Sequence, residues 1–172
     1  MRSATNRFIV SAFTLGAAAF GAASLAGQTG PKASQPTHVL FLCPHGAAKS
    51  VLASAYFARA AKERGLNVRV ESAGTEPDPT VAPAVADHLT KNGYSVPATA
   101  PRKVTAGQLA SADIVISLGC DLSAYPDPGA RLRRWDEVPG PSQNFAAADD
   151  AIRKRVTQLI EELARAAAVR NK

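Results

Sequence analysis

The chain has 172 residues and a formal net charge of +6, from 20 Lys and Arg against 14 Asp and Glu. That length allows one domain with a real core, while the mild charge, with no dense basic run interleaved with aromatics, argues against nucleic-acid binding. Two cysteines, Cys43 and Cys120, are too few for a disulfide scaffold and lack zinc-ligand spacing, so no metal or organic cofactor is expected.

Arg2 and Arg7 precede an uncharged stretch, residues 8–26, rich in Ala, Phe, Leu and Gly and ending in Ser24-Leu25-Ala26. Residues 1–26 read as a secretory signal peptide cleaved after about Ala26, with an uncleaved membrane anchor as the alternative. Removing the two arginines lowers the formal charge to +4. The mature chain is expected in the periplasm or outside the cell, an oxidising setting in which the thiols pair or need a reductant. Residues 27–36 form a polar linker with Gly and Pro, and residues 37–170 form the domain.

Residues 38–42, His-Val-Leu-Phe-Leu, read as a strand buried on both faces. A helix follows over 50–64, with Leu52/Tyr56/Ala60 and Ala53/Phe57/Ala61 at i+4, Lys62 and Arg64 in its last turn, and Gly65 as its stop. A second strand spans 68–72. Val81, Val85 and Leu89 mark a helix with Thr80 as cap and Gly93 as stop. Thr105 with Gln108 caps a short helix near 106–110. The third strand is 113–118, and 131–135 is a basic, edge-like fourth. The last helix runs from Asp149 to about Arg165, with Asp149 and Asp150 suiting its dipole. Alternating strands and helices imply a parallel sheet covered on both faces, with ligands at the carboxyl ends of the strands.

Both cysteines fall at that edge. Cys43 ends the first strand, Pro44, His45, Gly46, Ala47 and Ala48 form a small-residue loop, and Lys49-Ser50 opens the helix. Backbone N–H groups and the positive end of a helix dipole there bind tetrahedral anions and favour a reactive thiolate. A cation such as Lys49 in a first turn opposes the dipole, and a bound anion would offset it; the alternative is a solvated lysine. Cys120 is either a redox partner of Cys43 or a small apolar residue at a strand end. His45 reads as a loop residue with solvent-facing nitrogens, and His38 and His88 have no identifiable partners. Trp135 reads as packing, and Asp136 and Glu137 as surface acids.

Cys43 to Ser50 is similar to the C-x(5)-R-S loop of low-molecular-weight protein tyrosine phosphatases and the related thioredoxin-type arsenate reductases. Ser72-Ala73-Gly74-Thr75-Glu76-Pro77, Gly119-Cys120 and Trp135-Asp136 before a proline-rich turn extend the likeness over about residues 38–163. His45, Glu76-Pro77 and Gly119-Cys120 look more like the reductase branch. The resemblance implies an α/β, flavodoxin-like three-layer sandwich with a four-stranded parallel sheet, of the phosphatase I-like kind. It also implies a small oxyanion substrate (phosphate or arsenate) or a phosphotyrosine-type ester. Cys43 would be the nucleophile, residues 44–49 the oxyanion cradle, Ser50 the support of the thiolate, and Cys120 the thiol that resolves an arsenic adduct. A thiol reductant would then regenerate the enzyme, and a monomer is expected.

Three positions depart from that pattern. Lys49 stands where the family has arginine, a point charge in place of a planar fork. Gly140 stands at the position of the general acid, with Asp136, Glu137 or Asp127 as substitutes that spacing alone does not separate. Asp127 lies where some reductases carry a later resolving thiol. A fourth change, Gly46 in place of an asparagine, is benign, because glycine takes positive φ at no steric cost. These departures predict either weakened cysteine chemistry or an exported, non-catalytic oxyanion-binding or redox-sensitive domain.

Overall fold

The computed structural model describes residues 35–170, so the signal segment and most of the linker lie outside the described residues. Four strands form one sheet: β1 Thr37–Cys43, β2 Val68–Gly74, β3 Ile114–Ser117 and β4 Leu132–Arg134. Their order is β2-β1-β3-β4 and every pairing is parallel. Parallel neighbours need crossovers, and helices α1 Lys49–Glu63, α2 Pro83–Lys91 and α3 Ala106–Ser111 lie in them, with α4 Phe145–Arg170 closing the chain.

The period-2 alternation of β1 divides the interior into two cores. Val39, Phe41 and Cys43 join Phe57 of α1, Leu89 of α2 and Ile152 of α4 on one face. Leu40 and Leu42 join Val115, Leu109 of α3 and Cys120 on the other. The result is the expected three-layer α/β sandwich. Trp135 is buried, its ring 5.9 Å from that of Phe41, and is a packing residue. Among the described residues, no helix is long and apolar enough to cross a membrane.

The capping box on α3 is present, with the Gln108 N–H on Thr105 Oγ1 at 3.1 Å and the Thr105 N–H on Gln108 Oε1 at 3.0 Å. Two helix starts differ from expectation. Thr80 does not cap α2: Pro83 sits in its first turn, where a missing N–H costs nothing, and Ala82 precedes the helix and accepts from Val85 and Ala86. Helix α4 begins at Phe145 rather than Asp149, because Asn144 Oδ1 accepts the Ala147 N–H at 3.0 Å. Asp149 therefore lies in the second turn, where it meets Tyr56 and Arg153 instead of the helix end.

Candidate active site

Strand β1 lies between β2 and β3, so the chain reverses its direction of winding at the carboxyl end of β1, where such sheets open a crevice. Cys43 is the last residue of β1, paired in register with Gly74 of β2. The loop that follows turns at Gly46, whose φ is +60°, and the Gly46 N–H closes on Cys43 O at 3.2 Å. The positive φ expected at Gly46 is observed, and a second constraint accompanies it. A Cβ at Gly46 would lie 2.8 Å from Gly74 N, and a Cβ at Gly74 2.6 Å from Gly46 N, so the two backbones meet where no side chain fits.

The loop's carbonyl groups are largely occupied. Pro44 O accepts from Glu76 N–H at 2.8 Å, His45 O from Asp78 N–H at 3.0 Å, and Ala47 O from Ala82 N–H at 3.0 Å. The N–H groups of Ala47, Ala48, Lys49, Ser50 and Val51 have no acceptor among the described residues, and the helix ladder starts only with Leu52 N–H on Ala48 O. Helix α1 has no side-chain cap and no acidic residue in its first turn. Consecutive unspent donors at a helix N-terminus are complementary to a tetrahedral anion.

Beside them, Cys43 Sγ lies 3.1 Å from Ser50 Oγ, and both residues are buried. Lys49 extends across the strand ends. Its ammonium donates to Val138 O at 3.2 Å and lies 3.4 Å from where a Cβ of Gly119 would be. A cavity of about 440 Å³ opens over the loop, lined among others by Cys43, His45, Lys49, Asp78, Gly140 and Phe145. His45 does not face only solvent, because its Nδ1 lies 3.3 Å from Asp78 Oδ1.

Every loop residue singled out in the sequence except the buried Gly46 and Ser50 lines this cavity, and Ser50 contacts it through the cysteine. The candidate substitute acids do not line it. Asp136 Oδ1 accepts from Gly119 N–H at 3.0 Å, Glu137 pairs with Arg155 at 2.5 Å, and Asp127 accepts from Gly129 N–H at 2.8 Å. Gly140 does line it, and brings no side-chain donor. Cys120 is buried in the other core and donates its N–H to Ser117 Oγ at 3.1 Å. Burial first, then the nearby Cys43 sulfur, push its thiol up to about 12, and the Lys49 charge only partly opposes them. Both cysteines are free.

Asp78, Val138 and Phe145 were not assigned to the site from the sequence. They arrive from three separate loops or loop–helix junctions, and no periodic pattern links them. Among the described residues, no cluster of three or more His, Cys, Asp or Glu is arranged to hold a metal. His88, without a visible partner in the sequence, lies 3.0 Å from the Tyr56 hydroxyl and 3.5 Å from Asp149.

Comparison with known proteins identifies relatives of the whole domain. The family model for low molecular weight phosphotyrosine protein phosphatase matches residues 38–124. A Halobacterium salinarum protein provisionally named an arsenate reductase is 28% identical over 135 residues, covering 76% of this chain and 95% of the relative. The structure of the Corynebacterium glutamicum thioredoxin-dependent arsenate reductase is 27% identical with a TM-score of 0.67, covering 78% of this chain and 65% of that one. An arsenate reductase structure from Archaeoglobus fulgidus is 28% identical with a TM-score of 0.59, covering 72% and 98%.

Proposed function

Because the chain belongs to the low molecular weight phosphotyrosine protein phosphatase family, we propose that it carries out cysteine-dependent chemistry on a tetrahedral oxyanion, as a phosphatase or an arsenate reductase. The observation that supports this most directly is the row of unspent N–H groups from Ala47 to Val51 around Cys43. In this reading Cys43 Sγ attacks phosphorus or arsenic, Ser50 donates to the thiolate, and the loop N–H groups with Lys49 hold the oxyanion's oxygens. For arsenate, Cys120 would then attack the sulfur of the Cys43–arsenic adduct. The disulfide forms as two electrons pass to arsenic, arsenite leaves, and an external dithiol reduces the disulfide. That route requires Cys120 to give up a proton that its burial holds tightly.

The chemistry is weakened relative to a loop bearing arginine. Lys49 offers one point charge, shared with Val138 O, and loss of an aligned oxyanion donor costs on the order of 3–4 kcal/mol, about a hundredfold or more in rate. Purified protein is expected to hydrolyse an aryl phosphate, or to reduce arsenate with a dithiol, and Cys43→Ser to abolish both. Turnover unchanged in that variant refutes the reading.

The same Lys49–Val138 contact and the bare Gly140 support a second reading, a non-catalytic oxyanion-binding or redox-sensitive domain. Calorimetric binding of phosphate or arsenate without turnover favours it. Strong phosphatase activity gained by Lys49→Arg identifies a damaged enzyme scaffold instead. On the strength of Arg2, Arg7 and the uncharged residues 8–26, we further propose export from the cytoplasm, tested by the N-terminal sequence of protein recovered outside it.

A further inference from the structure

Cleaving a phosphate ester expels an oxygen that needs a proton, and the donor has to reach the cavity above Cys43. The titratable side chains lining that cavity are Cys43, His45, Lys49 and Asp78. Cys43 is the attacking group, and the Lys49 ammonium is held by Val138 O and is needed as charge toward the anion. Asp78 Oδ1 faces His45 Nδ1 at 3.3 Å, and the Asp78 N–H donates to His45 O at 3.0 Å. Two contacts therefore join these residues, one through the backbone and one through the side chains. The His45 side chain is 63% exposed, its Nε2 has no partner among the described residues, and the Asp78 carboxylate faces the other ring nitrogen, where it attracts the protonated ring. The wall at Gly140 brings no competing acid.

We propose that His45, positioned by Asp78, is the general acid–base of this site. The proposal rests on the reading of Cys43 as the nucleophile. The Cys43 thiolate forms the S–P bond as the ester P–O bond breaks, and the departing oxygen takes the Nε2 proton of imidazolium. Neutral His45 then removes a proton from water as its oxygen attacks phosphorus, the S–P bond breaks, and phosphate leaves with the thiolate restored. Imidazole suits both halves because the same ring nitrogen can give a proton and take one back. Asp78 is a positioning residue, acting through the ring.

The test compares kcat/KM for phenyl phosphate, whose leaving group needs protonation, with nitrophenyl phosphate, whose leaving group needs little. His45→Asn is expected to lower the first by ~10²–10⁴-fold and the second by less than about tenfold. Asp78→Asn is expected to shift the ratio of the two in the same direction by a smaller factor, which a purely structural loss would not do. A ratio in His45→Asn within about threefold of the parent protein's overturns the proposal. Cys43→Ser separates the two levels: it removes hydrolysis of both esters if the nucleophile is correctly assigned. If the parent protein shows no Cys43-dependent hydrolysis of either ester, the proposal falls, and the assignment of Cys43 falls with it if Cys43-dependent reduction of arsenate is absent as well.

Discussion

Gly46 and Gly74 press backbone against backbone, with 2.8 Å and 2.6 Å left for a Cβ at either one. This contact joins the cysteine loop to the end of β2, and it sets the height at which the loop's N–H groups stand above the sheet. Gly74→Ala has no flexible neighbour to push aside, so the backbone itself must move. The variant is expected to lose about 1–3 kcal/mol of stability and most of its affinity for phosphate. Urea denaturation and calorimetric titration check the two effects, and unchanged phosphate affinity would show that the contact does not shape the cradle.

Ser50→Ala should leave the fold intact, because a smaller side chain fits the same buried position. It removes the hydroxyl 3.1 Å from Cys43 Sγ. A hydrogen bond to a charged group contributes about 1.5–3 kcal/mol, so kcat/KM for an aryl phosphate is expected to fall roughly 10–100-fold. Ser50→Thr is expected to retain more of it.

Cys120 gives a pH dependence with a definite sign. Below its ordinary value of 9.0, folded and unfolded chains both keep the thiol proton, and no stability difference arises. Between 9.0 and about 12 the unfolded chain releases the proton while the folded one holds it. Stability therefore falls as pH rises through that window, by at most about 1.4 kcal/mol per pH unit. In Cys120→Ala this part of the slope should vanish, as measured by urea midpoints under reductant at about pH 8 and about pH 10.5.

Asp149 joins α4 to α1, accepting from the Tyr56 hydroxyl and from Arg153 Nε at 2.9 Å, while the Arg153 guanidinium lies 4.0 Å from the centre of the Tyr56 ring. Burial first, and then Asp149, hold the Tyr56 phenol well above the usual range, so the hydroxyl stays a donor. Asp149→Ala removes the one carboxylate that accepts from both the Tyr56 hydroxyl and the Arg153 guanidinium and is expected to cost about 2–3 kcal/mol. Tyr56→Phe removes the hydroxyl's contacts with Asp149 and His88 but keeps the Asp149–Arg153 pair, and should cost about 1–2 kcal/mol. Denaturant midpoints distinguish the two.

The sheet was legible because its strands are short apolar runs and its helices repeat at i+4. Residues 38–42 and 68–72 fall inside β1 and β2, and 113–118 encloses β3. The Thr105–Gln108 box was legible because both partners lie within one turn. Thr80 misled because a good capping residue stood three positions before a proline that sets the helix start on its own. Asp149 misled because its charge suits a helix end, whereas its partners Tyr56 and His88 lie far along the chain. The Cys43–Ser50 contact could be anticipated from one loop. Asp78 beside His45 could not, since a contact between two loops 33 residues apart leaves no trace in local pattern.

Most of the carbonyl oxygens of the cysteine loop are bonded to the segment that follows β2. Those bonds fix the shape of the cradle, and a guest meets dipoles that the chain itself holds in line. Little ordering entropy remains to be lost on binding. Discrimination among oxyanions should then follow their size and charge, with scant help from adaptation of the host.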